Sequence, residues 1–243
     1  MQDLNDLSEL NGAISRKPTP ERPLQGVTVL VVEDSRFASE AIRLLCLRSG
    51  ARIRRADTLA SAHRHLGVYR PTVVIVDMGL PDGSGADLIK ELDLSGDRVP
   101  VILGLSGDPL TEDSAMEAGA NGFLAKPVES LAAFQTAVLK LLPSDMVSST
   151  PRVLPTEIVH PQGTALAEDL SHIAQLMADV PDHQAMEYLI HFLEGIAKTS
   201  HDDTMAAATK QLARAHAEGR ETKGDVSALV GLVDERLAQT RAS

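Results

Sequence analysis

Between residues 26 and 142, short apolar runs alternate with segments of helical periodicity, five times over, and few folds accept that pattern. Residues 27–32 are apolar apart from Thr28, as in a strand covered on both faces. Residues 73–76 and 99–105 are similar runs, 51–56 reads as a more polar outer strand, and 123–125 as a short last one. Helical segments follow at 35–48, 59–68, 85–94, 112–118 and 131–142, with Gly119 placed to end the fourth. Strand–helix pairs in series give a parallel sheet with helices on both faces. The expected fold class is therefore α/β, a five-stranded doubly wound parallel sheet.

Ligands of such sheets bind beyond the C-terminal strand ends, where the strand order reverses. After the first strand come Glu33 and Asp34, after the third Asp77, after the fourth Ser106 and after the fifth Lys126. The second strand adds nothing polar of this kind. Three carboxylates in one place repel, and a hard divalent cation such as Mg²⁺ relieves the repulsion. A carboxylate held there can attack phosphorus, Lys126 can meet the charge of the transferred group, and Ser106 can offer it a hydroxyl.

The blocks Val29-Leu30-Val31-Val32-Glu33-Asp34-Ser35, Val73-Val74-Ile75-Val76-Asp77-Met78-Gly79-Leu80-Pro81-Asp82-Gly83 and Gly122-Phe123-Leu124-Ala125-Lys126-Pro127 resemble the signature blocks of response-regulator receiver domains. The resemblance covers residues 26–142. It implies a flavodoxin-like sheet of order 2-1-3-4-5 and a phosphoacceptor at Asp77. It also implies Mg²⁺ held by Asp34, Asp77 and the Gly79 carbonyl, with Glu33 acting through water. Ser106 and Lys126 would contact the phosphoryl group and Phe123 would be the switch aromatic. Gly107 stands where the family often has Ala, which opens the phosphate pocket slightly. A haloacid-dehalogenase-type phosphatase is rejected, because its second Asp falls at Gly79.

Residues 143–163, rich in Pro, Ser and Thr, read as a linker. Residues 164–243 carry no strand signal, and four helices can be drawn at 165–178, 182–200, 203–218 and 225–240, an all-α bundle. Pro181 suits a first helical turn, and Gly219 and Gly224 punctuate the third connection. On a wheel of about 100° per residue, His191 lies opposite the apolar face of the second helix, with Gly195 one turn on. The run His191-Phe192-Leu193-Glu194-Gly195-Ile196-Ala197 resembles the phosphoacceptor motif of histidine phosphotransfer (HPt) domains, with Glu194 in place of the usual Lys. Two readings stand for this tail: an HPt-like relay through His191, or a non-catalytic output that controls dimerisation or partner binding. A phosphate sink is a third. His201-Asp202-Asp203 reads as the cap of the third helix rather than a metal site.

Residues 1–25 form an N-terminal segment in which Leu4, Leu7, Leu10 and Ile14 are spaced for a short helix, with disorder the alternative. The net charge of −11 argues against nucleic-acid binding and a polybasic membrane patch. Residues 151–243 alone hold 14 acidic against 8 basic side chains. One cysteine, Cys46, excludes an intrachain disulfide and reads as a buried hydrophobe. No apolar run is long enough to span a membrane, so a cytoplasmic location is expected. The resemblance implies self-catalysed phosphoryl transfer and autodephosphorylation rather than classical enzyme turnover. The implied partners are a sensor histidine kinase or phosphotransfer protein, another receiver domain, or a second copy of the chain.

Overall fold

The computed structural model describes residues 17–178 and 183–242. The helix drawn through Leu4 to Ile14, and Pro181, lie outside the described residues. Strands β1 (Thr28–Val32), β2 (Arg52–Ala56) and β3 (Val73–Asp77) are followed by a two-residue antiparallel ladder, β4 (Gly79–Leu80) with β5 (Gly83–Ser84). Strands β6 (Val101–Ser106) and β7 (Gly122–Ala125) complete a five-stranded parallel sheet of order β2-β1-β3-β6-β7. Counting only its own members, this is the expected 2-1-3-4-5 order. The helices between are α1 (Arg36–Ser49), α2 (Leu59–Leu66), α3 (Gly85–Leu94), α4 (Thr111–Glu117) and α5 (Leu131–Leu139).

The two-residue period of the strands divides the core. Val29, Val31, Ile75 and Leu103 face α1 and α5, while Leu30, Val32, Val74 and Ile102 face the opposite layer with Leu88 and Ile89 of α3. Local chemistry sets the helix ends. Ser35 caps α1 by accepting from the Ala38 amide, and Gly50, at φ +86°, closes it in the left-handed conformation. Thr58, Ser84 and Ser130 cap α2, α3 and α5 in the same way. Regular α5 ends at Leu139, but the Lys140 and Leu142 amides still donate to the Thr136 and Val138 carbonyls, so the turn runs on as the apolar pattern does, up to the residue before Pro143.

Residues 143–163 lie against the sheet unit. Ile158 bridges Ser130, the Leu131 amide donates to the Glu157 carbonyl, and Val159 is buried in the core beneath α5. Upstream, Leu24 is also fully buried there, and its amide donates to the Ser49 carbonyl. The tail forms α6 (Gly163–Leu176), α7 (His183–Thr199), α8 (Asp203–Ala217) and α9 (Lys223–Ala242), packed α6 on α9 and α7 on α8. Their core is built from Leu170, Ile173, Leu189, Leu193, Ile196, Leu212 and Val233. Asp202 caps α8 as expected, accepting from the Met205 amide. Gly219 takes a left-handed φ of +63° after α8, whereas Gly224 falls inside the first turn of α9 rather than in the connection. Among the described residues no helix is long and apolar enough to cross a membrane.

Candidate functional site

The chain crosses over in opposite directions from β1 and β3, which are neighbours in the sheet, so a crevice opens at their C-terminal ends. Glu33 and Asp34 follow β1 there, and Asp77 ends β3. Their carboxylate oxygens lie within 4.8 Å of one another. Lys126, directly after β7, reaches across with Nζ 2.8 Å from Glu33 Oε2 and 3.2 Å from Asp77 Oδ2. Its amide donates to the Ser106 carbonyl, which ties the ends of β6 and β7 together. All four of Glu33, Asp77, Ser106 and Lys126 are buried. The Ser106 hydroxyl accepts from the Asp108 amide at 3.0 Å. Phe123 is half-buried, with its ring against Gly104 on the α3–α4 side of the sheet.

The bundle docks over this crevice. Helix α7 brings His191 Nε2 to 3.4 Å from Asp77 Oδ1 and the Tyr188 hydroxyl to 2.6 Å from Asp34 Oδ2. Helix α6 brings Asp169, whose carboxylate accepts from the Ser35 hydroxyl (2.8 Å) and from the Arg36 (2.8 Å) and Phe37 (2.9 Å) amides. The free amides of the first turn of α1 are thus capped by a residue more than 130 positions away in the chain, as well as by Ser35. His191 does lie off the apolar face of α7, but the side that carries it is turned to the acidic crevice rather than to solvent, and only 20% of its side chain remains exposed. Gly79 and Gly195 allow the approach. A Cβ at Gly79 would overlap the His191 imidazole, and one at Gly195 would sit 3.3 Å from Lys126 Nζ.

The electrostatics follow from burial and from an excess of negative charge. Burial and the Asp77 charge hold Glu33 well above the usual carboxylate range, against the pull of Lys126. Asp34 is pushed up to about 6 by burial and Asp77, with the Tyr188 hydrogen bond opposing. Burial also raises Asp77, but Lys126 and His191 outweigh it and its pKa ends below the ordinary value. Lys126 is held up by Asp77 and Glu33 although burial pulls it down. Burial likewise pulls His191 down, and its hydrogen bond to Asp77 and that group's charge bring it above the ordinary imidazole value. Three carboxylates share one buried ammonium and one imidazole, so the crevice is short of positive charge.

The profile of the response regulator receiver domain matches residues 29–138. Residues 29–138 are a response regulator receiver domain. The receiver is 34% identical over 100 residues to the KDP operon transcriptional regulatory protein KdpE of Escherichia coli, covering 41% of this chain and 44% of that one. It is 34% identical over 113 residues to KdpE of Mycobacterium tuberculosis, covering 45% and 50%. The chain spans about half the length of the curated relatives it matches. Among solved structures, the receiver domain of the Pseudomonas aeruginosa sensor histidine kinase PA1611, determined with magnesium in its active-site cleft, is 26% identical. That match covers 47% of this chain and 96% of that one at a TM-score of 0.43. The receiver is followed by the helical C-terminal region α6–α9.

Sequence reasoning missed Asp169 and Tyr188. The signal was present for Asp169: it stands between Leu166, Leu170 and Ile173 on the inward stripe of α6, where a carboxylate needs a partner. Tyr188 lies one turn before His191 and therefore on the same face.

Proposed function

We propose that this chain is a two-component phosphorelay protein in which Asp77 accepts a phosphoryl group and His191 is its exchange partner in the same molecule. The observation that carries the reading is the 3.4 Å approach of His191 Nε2 to Asp77 Oδ1 beside the Lys126 ammonium. In this reading residues 26–142 are the receiver, 143–163 the connection and 164–243 the HPt-like bundle.

The crevice suits Mg²⁺. Its three carboxylates offer oxygen donors and outnumber the positive charge beside them, and a cleft of about 590 Å³ lined by Asp34, Arg55, Asp57, Thr58 and Tyr188 leads to it. Asp34, Asp77 and the Gly79 carbonyl would hold the ion, with Glu33 acting through water. Bound there, Mg²⁺ supplies charge neutralisation at the phosphoryl oxygens.

The remaining work falls to the chain. An Asp77 oxygen attacks the phosphorus of a phosphohistidine; the O–P bond forms as the N–P bond breaks, and the N–P electron pair returns to the imidazole. Lys126 meets the charge of the group in flight, and the Ser106 hydroxyl turns from the Asp108 amide to a phosphoryl oxygen. Phe123 then follows Ser106 inward. The same path run backwards loads His191. Upstream or downstream stands a sensor histidine kinase, a phosphotransfer protein or another receiver, in the cytoplasm.

One observation favours a second reading. Asp77 is 2% exposed beneath α7, so the bundle also works as a cover. A receiver with a non-catalytic helical output would release that cover on phosphorylation and change its dimerisation or partner binding.

Phosphoryl labelling with Mg²⁺ of wild type, Asp77→Asn and His191→Ala separates the readings. The relay requires an alkali-stable label that His191→Ala abolishes and an alkali-labile one that Asp77→Asn abolishes. Label confined to Asp77 overturns the relay in favour of the cover; unchanged labelling of Asp77→Asn overturns both.

A further inference from the structure

Among the described residues, two groups of three or more His, Cys, Asp or Glu bring ligand atoms within 4.8 Å of one another. One is the acidic crevice, and the other is His183, Glu187 and His216. The second group lies on the bundle and uses none of the residues of the phosphoryl site. His183 and Glu187 are one turn apart on α7, and His216 comes from the last turn of α8.

Its three ligand atoms are close enough for one ion to reach, and one of the distances between them matches tetrahedral coordination. A tetrahedral ion with bonds of about 2.1 Å places its ligand atoms roughly 3.4 Å apart; His183 Nε2 and Glu187 Oε1 are 3.5 Å apart. The imidazoles of His183 and His216 lie with centroids 4.6 Å apart and planes tilted by 33°. His216 Nε2 is buried, and among the described residues nothing hydrogen-bonds to it. An orphaned buried ring nitrogen beside a second imidazole and a carboxylate is the arrangement a cation completes. His183 and Glu187 are exposed, so an ion can enter from solvent.

We infer that His183, Glu187 and His216 bind a borderline transition-metal dication of the Zn²⁺ class, with solvent as the fourth ligand. Two imidazoles and one carboxylate suit Zn²⁺ and its neighbours, whereas the all-oxygen crevice suits Mg²⁺. The ion joins the start of α7 to the end of α8. Helix α7 is also the helix that carries Tyr188 and His191 to the receiver, so the site fixes the helix that the docked interface depends on.

The test is titration of Zn²⁺ into the chelator-treated full chain, in wild type and in His183→Ala, His216→Ala and Glu187→Gln. The ¹⁵N resonances of the histidine side chains are followed in parallel. Loss of one bound equivalent, or weakening by about tenfold or more, is expected in each variant. In wild type the His183 and His216 imidazole nitrogens shift on addition of Zn²⁺. Glu187 is exposed, so Glu187→Gln keeps the test valid if His216→Ala does not fold. Variants that bind like wild type, or shifts confined to other histidines, overturn the inference.

Discussion

Tyr188 donates its hydroxyl hydrogen to Asp34 Oδ2 at 2.6 Å, from the bundle to the carboxylate that opens the acidic crevice. The bond occupies a lone pair of a proposed Mg²⁺ ligand, so docking and ion binding compete for one oxygen. At a pH well above the Asp34 value of about 6, Tyr188→Phe is expected to tighten Mg²⁺ binding roughly fivefold, the equivalent of about 1 kcal/mol for one lost hydrogen bond. Calorimetric titration of both proteins measures it, and equal affinities would remove Tyr188 from the ion's surroundings.

Asp169 is 3% exposed and carries three of the bonds that hold the bundle to α1. Replacing it with Ala leaves the Arg36 and Phe37 amides without that acceptor, while Ser35 still caps Ala38. A loss of about 2 kcal/mol is expected from a charge-assisted cap of this kind. Urea unfolding followed by circular dichroism measures the loss, and an unchanged midpoint would show the cap to be energetically idle.

Gly79→Ala puts a methyl group into the His191 ring, whose atoms are its nearest neighbours, and leaves the Gly79 carbonyl in place. The bundle must move off. Solution scattering is expected to show a larger radius of gyration, and exchange between His191 and Asp77 to fail. Labelling of Asp77 by a small phosphodonor such as acetyl phosphate should survive. A variant as compact as wild type would contradict the docked geometry.

Asp202 accepts from the Met205 amide and pairs with Arg236 Nε at 2.6 Å, joining α8 to α9. Burial pushes its pKa up, but Arg236 and the amide bonds outweigh that and hold it below the ordinary value. A depressed carboxylate stabilises the fold above its unfolded pKa of about 3.9 and ceases to do so as pH falls through the folded value. Asp202→Asn keeps the cap and loses the charge. Its deficit, about 1 kcal/mol for a part-buried pair at the edge of the bundle, should be present at neutral pH and vanish on acidification. A deficit independent of pH would assign the loss to the cap instead.

Cys46 is buried and its thiol is pushed up to about 12 by burial. It should resist alkylation in the native protein and react only on unfolding, which makes it an internal clock for global opening. Rapid labelling by iodoacetamide under native conditions would contradict its placement.

The sheet was legible because its evidence is local and repeated. The apolar run of residues 27–32 already reads as a strand covered on both faces, and Gly119 already marks a helix end. The convergence of Glu33, Asp34, Asp77 and Lys126 followed from strand ends at one switch point. The direction in which the bundle faces was not legible, because nothing in the periodicity of α7 says what its polar side will meet. His191 was found by its place on the wheel, but Tyr188 on the same face was passed over. Asp169 looked like one more acidic residue in an acidic tail until α1 supplied the amides it caps. Contacts between distant segments depend on shape, and a one-dimensional pattern carries little of that.

The way the bundle is tethered has its own consequence. The chain leaves the receiver core at the buried Val159 and enters α6 at Gly163. Even fully extended, that stretch reaches only about 14 Å, so an undocked bundle swings on a short hinge and stays beside the crevice. Its local concentration there is on the order of millimolar or higher. An outside phosphodonor approaching Asp77 therefore meets a rival that dilution does not weaken, and it gains entry by binding more tightly or by arriving during a swing.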